Sequence, residues 1–297
     1  MAEGRDVDHG ETARSGASLR AGVIGLGTIG GGVAVSLSRR GRQPIVYDIR
    51  PEAADLLEGV PRPVASCAEV GRHADVVFVA VVDAEQARTA VVGEAGLLEG
   101  AHPGLIIVLL STVAVPVVHE LARAAAASGV DFIDCGVTKT DKDATKGVVA
   151  IVGGNDDVVR RAMPTLSDYA NHVVHCGPLG SGMATKIARN VVTYASWRAV
   201  FEATRLAELS GVSPQKLAEV IDAVDPEGVT LLTMLRLRGT TGPAEGDELI
   251  THMRAVNLLM DKDLAAAEDL AEGLGVAVPV VTATRVGGLE TLGLTTG

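Results

Sequence analysis

Residues 23–50 read VIGLGTIGGGVAVSLSRRGRQPIVYDIR, and this stretch decides the fold. An apolar run is followed by closely spaced glycines, by a segment with helical spacing, and by a second apolar run that ends in an acid, Asp48. Gly25, Gly27 and Gly30 fit the pattern G-x-G-x-x-G, and Asp48 comes 18 residues after Gly30. This order of strand, glycine-rich turn, helix and second strand is typical of a dinucleotide-binding βαβ unit.

Each glycine of the turn has a separate physical task. Gly25 allows a tight turn, Gly27 lets the backbone approach a pyrophosphate, and Gly30 lets the helix pack against the strand. The N–H groups and the positive dipole end of the helix then favour the phosphates. The predicted phosphate-binding residues are Gly25, Leu26, Gly27, Thr28, Ile29 and Gly30. A glycine turn that serves only the fold is the alternative interpretation.

The acid at the end of the second strand predicts the type of cofactor. Asp48 is expected to accept hydrogen bonds from ribose hydroxyls and to repel a 2′-phosphate, which favours NAD. Arg50 follows two residues later and could pair with a 2′-phosphate, so NADP stays possible.

Short apolar runs recur through the first part of the chain and alternate with segments of helical spacing. Most of these runs are continuous, as expected for strands that are covered on both faces. The predicted strands lie within residues 21–26, 45–47, 76–82, 105–110, 132–133, 148–152 and 172–176. The alternation predicts an α/β fold with a Rossmann-type, mostly parallel, doubly wound sheet.

After Gly180 the strand signal disappears and helix-compatible runs take over. Helices are predicted over residues 181–210, 251–272 and 279–292, and a further helix is predicted to start at Pro214 with Ser213 as its N-cap. We therefore expect a mobile tail at residues 1–19, a dinucleotide-binding Rossmann domain at 20–180, and an all-α C-terminal domain at 181–297.

The composition disfavours several classes of partner. The chain has 37 acidic residues against 26 lysines and arginines, a net charge of -11, which repels nucleic-acid phosphates and anionic lipids. Its apolar segments are too short to span a membrane, and residues 1–19 lack the apolar core of a signal peptide. Cys67, Cys135 and Cys176 match no metal or redox spacing. We expect a cytoplasmic protein that binds neither nucleic acid nor membrane and holds no metal.

The reaction is indicated by a later segment, GPLGSGMATKIARN at residues 177–190. Gly180, Gly182, Lys186 and Asn190 resemble the signature G-x-G-x-x-x-K-x-x-N-N of the β-hydroxyacid dehydrogenases. This is the 3-hydroxyisobutyrate dehydrogenase-like family, within the 6-phosphogluconate dehydrogenase-like superfamily. Four further segments occur in the family's order: GLGTIG at 25–30, LLSTVAVP at 109–116, DCGVTKT at 134–140 and DKDLAAA at 261–267.

The spacing on the predicted helix supports a catalytic pair. Lys186 and Asn190 are four residues apart and therefore share one helix face. The helix dipole and the apolar neighbours Met183 and Ile187 are expected to lower the pKa of Lys186 toward that of a general acid/base. The resemblance implies that Lys186 exchanges a proton with the substrate hydroxyl during hydride transfer, while Asn190 holds the substrate oxygen. Arg189 stands where the signature has its first asparagine.

The resemblance also implies that Lys262 lies close to the nicotinamide and the substrate, and that Thr112 lies near the nicotinamide ribose. The family's substrate loop usually reads D-A-P-V-S-G-G, and its serine and glycines receive the carboxylate of a small 3-hydroxy acid or its semialdehyde. Here Thr138 replaces the serine, and Lys139 and Thr140 replace the glycines. Lys139 either binds a carboxylate or phosphate or points to solvent.

Two other functions stay open. One is that of an imine reductase, although those relatives generally carry Asp or Tyr in place of the lysine. The other is that of a catalytically silent dinucleotide-binding assembly module. The resemblance implies association through the helical domain, so we expect a homodimer or homotetramer. Trp197, Phe201 and Leu206 either form its seam or belong to the core of a single chain.

Overall fold

The computed structural model describes residues 19–139, 148–228, 248–292 and 294. These residues divide into two compact units, with the boundary between Arg189 and Asn190. In its described part the first unit holds a seven-stranded sheet with flanking helices, and the second is built from helices. Apart from Leu19, the predicted tail lies outside the described residues.

The strands of the first unit follow the predicted apolar runs, except that the run at residues 132–133 is part of a much longer strand, which also includes residues 134–139 of the predicted substrate loop. They are β1 (Ala21–Ile24), β2 (Ile45–Tyr47), β3 (Val76–Val79), β4 (Ile106–Leu109), β5 (Asp131–Lys139), β6 (Val148–Gly153) and β7 (Ala170–His175). Their order in the sheet is β2-β1-β3-β4-β5-β6-β7. Strands β1 to β5 are parallel, β6 is antiparallel to β5, and β7 is parallel to β6. The prediction of an α/β fold with a mostly parallel sheet is confirmed.

The central strands are covered on both faces. Every residue of β1, β3 and β4 is buried. Because successive side chains of a strand point to opposite faces, neighbouring residues feed two separate apolar clusters. Phe78 and Val108 belong to one cluster, whereas Val77 and Ile107 belong to the other. This explains why the strands read as continuous apolar runs in the sequence.

Helices connect the strands. They are α1 (Thr28–Arg39), α2 (Cys67–His73), α3 (Ala84–Val92), a 3₁₀ helix (Leu97–Gly100), α4 (Val115–Ala127) and α5 (Asp156–Leu166). Side-chain caps fix where three of them begin: Ser66 accepts a hydrogen bond from the Glu69 N–H at 3.2 Å, Asp83 accepts one from the Gln86 N–H at 2.9 Å, and Asn155 accepts one from the Asp157 N–H at 2.9 Å.

The carboxyl ends of β2, β1, β3 and β4 lie in one row, level with Asp134 inside β5. The register pairs Tyr47 with Ile24, Ile24 with Val79, Val79 with Leu109, and Leu109 with Asp134. Segments that directly follow these positions therefore emerge along one edge of the sheet. In open α/β sheets this edge is where ligands bind.

A long helix continues from the first unit into the second. The helices from this point are α6 (Ser181–Leu209), α7 (Pro214–Val224), α8 (Glu248–Leu274), α9 (Pro279–Val286) and α10 (Gly288–Thr291). Ser213 caps α7 as predicted, because its hydroxyl accepts a hydrogen bond from the Lys216 N–H at 3.3 Å. The predicted boundary after Gly180 is the start of α6, whereas the two units divide inside that helix. Its first turns pack against the sheet, as described below.

The prediction of one continuous helix over residues 279–292 is wrong, because α9 ends at Val286 and α10 begins at Gly288. The adjacent Gly287 and Gly288 have low helix propensity. A Cβ at Gly288 would also overlap the side chain of Asn257, so this glycine lets the turn lie directly on α8.

A buried carboxylate organises the second unit. Glu202 is only 1% exposed, and its Oε2 accepts hydrogen bonds from the Val280 N–H at 3.0 Å and the Val281 N–H at 3.3 Å. Its Oε1 accepts one from Arg198 Nε at 2.7 Å. Glu202 on α6 thus caps the start of α9, which has no side-chain cap of its own.

Within the part of the chain that the structure describes, no helix is long and apolar enough to cross a membrane. The same residues contain no group of three or more His, Cys, Asp or Glu side chains that could hold a metal ion. The ring nitrogen Nε2 of His175, for example, lies 3.0 Å from two backbone carbonyl oxygens, those of Gly154 and Gly177.

Candidate active site

The glycine-rich turn lies between β1 and α1 at the carboxyl edge of the sheet. Gly25 has a φ of 86°, which favours glycine, and its N–H donates to the Tyr47 carbonyl at 2.8 Å. A Cβ at Gly30 would overlap the carbonyl oxygen of Gly25, so only glycine lets the helix approach the turn this closely. Gly25 and Gly30 therefore have structural tasks inside the protein.

Gly27 differs from both of them. Apart from its two chain neighbours, no described residue has an atom within 4 Å of a Cβ added at Gly27, and its φ of -69° and ψ of -164° are open to other residues. Nothing in the described chain requires glycine here, but a ligand that touches the backbone would. Gly27 directly precedes the first turn of α1, whose N–H groups have no partner within the helix. This arrangement fits the pyrophosphate of a dinucleotide.

Asp48 is held firmly beside the turn. Its Oδ2 accepts a hydrogen bond from the Leu26 N–H at 2.7 Å, and its Oδ1 accepts the Arg50 N–H at 2.9 Å and Arg50 Nε at 3.0 Å. Burial acts to raise the pKa of the Asp48 carboxyl, but these hydrogen bonds and the Arg50 charge outweigh it and keep that pKa below its usual value. The ionised carboxylate is largely occupied by the chain's own donors, while the Arg50 side chain is more than half exposed.

The segment after β4 contributes Ser111 and Thr112. The Ser111 hydroxyl accepts a hydrogen bond from the Val81 N–H and donates one to the Val81 carbonyl, both at 2.9 Å. It therefore ties the end of β4 to the segment after β3. Thr112, the residue predicted near the nicotinamide ribose, is exposed at the same edge.

Lys186 lies in the second turn of α6 and is only 8% exposed. Its aliphatic chain lies directly on Gly136 of β5, since a Cβ there would be 2.5 Å from Lys186 Cβ. Burial lowers the pKa of the Lys186 ammonium, and the charge of Arg189 lowers it further. The expected direction of this shift is confirmed. Met183 is buried as assumed, whereas Ile187 is exposed and cannot supply an apolar cover.

A buried acid neutralises the N-terminus of this helix. Asp134 is 0% exposed, and its carboxylate accepts hydrogen bonds from the Gly180 N–H at 2.7 Å and the Met183 N–H at 2.5 Å. Burial raises the pKa of Asp134, while these hydrogen bonds act in the opposite direction. The predicted effect of the helix dipole on Lys186 is thus opposed by a carboxylate at the helix start.

The remaining predicted site residues are placed as follows. Thr138 is half-buried in β5 opposite Val149, and Lys139 is the last residue of that strand. Thr140 lies outside the described residues. Asn190 and Lys262 belong to the second unit, and Lys262 is exposed at 72% with its Nζ 3.3 Å from Asp263.

One edge of the first unit therefore collects the glycine turn, Asp48, Thr112 and Lys186. Asn190 shares the Lys186 face of α6 by its spacing, because residues four apart on a helix are neighbours. The binding and catalytic roles of all these residues stay predictions. Sequence reasoning missed the parts played by Asp134 and Gly136. An acid inside the buried run FIDCGV was the available signal, because a buried carboxylate needs hydrogen-bond partners.

Comparisons with known proteins show the family to which this fold belongs. Residues 20–177 match the family described as the NAD binding domain of 6-phosphogluconate dehydrogenase. A probable 3-hydroxyisobutyrate dehydrogenase of Mycobacterium bovis is 30% identical over 262 residues, which cover 86% of this chain and 87% of that protein. The structure of Mycobacterium tuberculosis 3-hydroxyisobutyrate dehydrogenase with L-serine has a TM-score of 0.64 at 27% identity and covers 90% of this chain and 91% of that one.

The fold is also shared more widely. An imine reductase from Pseudomonas sp. has a TM-score of 0.68 at 20% identity, with coverage of 93% of this chain and 95% of that one. The family match spans more than half of the chain, and it includes the glycine turn and Asp48. The chain belongs to the 3-hydroxyisobutyrate dehydrogenase-like family of NAD(P)-dependent oxidoreductases, and its first unit carries their NAD-binding domain.

Proposed function

We propose that this protein transfers a hydride between a nicotinamide cofactor and a small 3-hydroxy acid or its semialdehyde, with Lys186 as the general acid/base. The proposal rests on the burial, the pKa and the position of Lys186. It is a buried lysine with a lowered pKa, and it lies on Gly136 just beyond the row of strand ends that also bears the glycine turn. Buried groups with a shifted pKa are concentrated at functional sites.

The proposed chemistry divides between the cofactor and the chain. A bound nicotinamide supplies the hydride acceptor. In the oxidation direction the unprotonated Nζ of Lys186 takes the hydroxyl proton of the substrate as the C–H hydride leaves, and the hydroxyl becomes a carbonyl. In the reverse direction the Lys186 ammonium gives this proton to the carbonyl oxygen. Asn190 is proposed to hold the same substrate oxygen by a hydrogen bond from its side-chain amide.

The other proposed contacts follow the family pattern. Thr138, Lys139 and Thr140 receive the substrate carboxylate, while Thr112 and Lys262 lie at the nicotinamide end. A lysine ammonium next to a hydroxyl donor suits a carboxylate, because charge-assisted hydrogen bonds are about twice as strong as neutral ones. Small carboxylates are therefore the proposed substrates.

A panel of substrates tests the reaction class. NADH formation is followed by absorbance with 3-hydroxyisobutyrate, L-serine and 3-hydroxypropionate, and NADH consumption with the matching semialdehydes. L-Serine is included because the mycobacterial relative was solved with it. We expect turnover with at least one acid. Reduction of cyclic imines without any oxidation of hydroxy acids would assign the chain to the imine reductases, and cofactor binding without turnover of either class would indicate a silent module.

The choice between NADH and NADPH is predicted to depend on Arg50. The ionised Asp48 favours NADH, whereas the exposed guanidinium of Arg50 can pair with a 2′-phosphate. Arg50→Ala is expected to weaken NADPH binding by at least about tenfold, because a hydrogen bond to a charged group contributes about 1.5–3 kcal/mol. NADH binding should change little.

Fluorescence titration of both cofactors measures this effect. Arg39→Ala is the matched control, since Arg39 is an exposed arginine of the same unit that pairs with Glu58 at 2.9 Å. Equal losses for the two cofactors in Arg50→Ala would show that Arg50 supports the turn through Asp48 and does not read the 2′-phosphate.

We also propose that the protein is a homodimer or homotetramer that associates through α6. Val191, Tyr194, Trp197 and Phe201 are exposed large apolar side chains on this helix, and Trp197 is 65% exposed. The spacing of three or four residues from Val191 to Phe201 forms one stripe, whereas Leu206 is half-buried. Contiguous apolar surface of this kind marks an association site.

Light scattering at micromolar concentration tests the assembly. We expect the mass of two or four chains, and we expect Trp197→Glu to lower that mass because it places a charge in the apolar stripe. Circular dichroism shows whether the variant keeps its helices. A wild-type mass of about 30.4 kDa, that of one chain, would contradict the proposal.

A further inference from the structure

Strand β5 contacts α6 at a position that carries no side chain. A Cβ at Gly136 would lie 2.5 Å from Cβ, 2.9 Å from Cγ and 3.4 Å from Cδ of Lys186. Real Cβ atoms essentially never approach another atom below 3.0 Å. The lysine chain therefore runs over bare backbone, and any other residue at position 136 would push it away from the strand.

The same strand fixes the helix one turn earlier. Asp134 lies two residues before Gly136 and therefore points to the same side of β5. Its carboxylate accepts hydrogen bonds from the N–H groups of Gly180 and Met183, and Met183 precedes Lys186 by three residues. Asp134 is fully buried, so its two hydrogen bonds are made away from competing water.

Strand β6 packs closely against the start of α6. A Cβ at Gly182 would be 2.5 Å from the Ile151 carbonyl oxygen, and a Cβ at Gly153 would be 2.6 Å from the Gly182 N–H nitrogen. The first turn of α6 thus packs backbone against backbone on β6. The position of the Lys186 backbone is set by the sheet, and the direction of its side chain is set by Gly136.

We propose that Asp134 and Gly136 are positioning residues for Lys186. Asp134 holds the first turn of α6, and Gly136 provides the flat surface that keeps the lysine chain against the sheet. The amine is thereby confined to the edge that carries the glycine turn. The substrate-loop pattern D-A-P-V-S-G-G has a proline at the position of Gly136, so this bare surface is a departure of the present chain. The catalytic consequence rests on the proposed role of Lys186, whereas the placement of its side chain does not.

Competitive acetylation with trace acetic anhydride tests the placement without any substrate. Mass spectrometry reads the labelling rate of each lysine as a function of pH, and the plateau at high pH reports access to the free amine. Lys216 and Lys262 serve as internal references, with side chains exposed by 70% and 72%. In Gly136→Ala we expect the plateau rate of Lys186 to rise severalfold while the references stay unchanged.

Gly32→Ala is the matched control, because Gly32 is a glycine of the same unit whose added Cβ would meet nothing within 4 Å. Asp134→Asn is the second variant and keeps the proposal testable if Gly136→Ala does not fold. Asparagine has a single acceptor oxygen, so the N–H of either Gly180 or Met183 loses its partner and the Lys186 plateau should again rise. An unchanged Lys186 plateau in the folded variants would overturn the proposal.

A double-mutant cycle tests the catalytic consequence with an acid that the panel shows to be turned over. Gly136→Ala is expected to lower kcat about 10²-fold, the effect of misplacing a reacting group by about 1 Å. In a Lys186→Ala background the same change should lower the residual rate no further, although its effect on thermal stability should persist. An equal loss of kcat in both backgrounds would show a merely structural role.

The two proposals fail in different ways. If Lys186→Ala keeps the wild-type rate, the proposed function is wrong, yet the acetylation result still decides the placement. If Lys186→Ala loses activity and Gly136→Ala changes neither labelling nor rate, only the positioning role is wrong.

Discussion

Lys186→Ala is expected to lower kcat by about 10²- to 10⁴-fold, the usual contribution of a general acid/base. The change removes the amine that takes or gives the substrate proton. NADH affinity should stay within about twofold, because the glycine turn, Asp48 and Arg50 are made by other segments of the first unit. Steady-state rates and a fluorescence titration of NADH measure the two quantities separately.

Two further lysine variants test whether the proton of Lys186, and not only its charge, is needed. Lys186→Arg keeps the positive charge but cannot release a proton at working pH, so it should not restore the rate. Lys216→Ala removes an exposed lysine that pairs with Glu219 at 2.6 Å, and it should leave the rate unchanged. Wild-type turnover by Lys186→Arg would limit the residue to electrostatic binding of the substrate.

The dependence of the rate on pH follows from the same lysine. Oxidation needs the unprotonated amine, so kcat/KM should rise with pH and level off above the pKa of Lys186. Burial and the charge of Arg189 place this midpoint below the ordinary value of 10.5. Reduction needs the ammonium, so its rate should fall through the same midpoint. A profile with no such midpoint would argue against proton transfer by Lys186.

The sequence predicted the features that depend on local pattern. The continuous apolar runs identified the strands, and the glycine spacing with Asp48 identified the turn at the carboxyl edge. The functions of Asp134 and Gly136 could not be predicted in this way. Asp134 meets its partners Gly180 and Met183 across 46 and 49 residues of chain, and only the packing of α6 on β5 brings them together.

The structure also changed the interpretation of two predicted residues. Asp48 was expected to face ribose hydroxyls, but three of its hydrogen bonds come from Leu26 and Arg50, which makes it a part of the turn itself. Lys186 was expected to owe its lowered pKa partly to the helix dipole, yet Asp134 sits at that helix end. For Asp48 these hydrogen bonds outweigh burial, whereas for Lys186 burial itself is the largest cause of the lowered pKa.

The second large effect is expected at the glycine turn, where two neighbouring glycines should respond differently. Gly27→Val should weaken NADH binding by at least about 100-fold, which is about 2.8 kcal/mol. Its side chain would fill the open space at the residue that precedes α1, where no described residue beyond its chain neighbours has an atom within 4 Å of an added Cβ. The free energy of unfolding should change by no more than about 0.5 kcal/mol, as for other surface substitutions.

Gly30→Ala should instead lower the free energy of unfolding by about 1–3 kcal/mol, the effect of overpacking, because its Cβ would overlap the Gly25 carbonyl oxygen. NADH binding would then weaken as a consequence of the distorted turn. Gly32→Ala, two residues further along α1, should change neither quantity, since its added Cβ meets no atom of the described residues within 4 Å. Thermal melts with and without NADH separate the three variants, because a ligand raises the melting temperature only of a protein that binds it. If Gly27→Val bound NADH like the wild type, the cofactor phosphates could not lie against this turn, and the proposed phosphate site at residues 25–30 would be wrong.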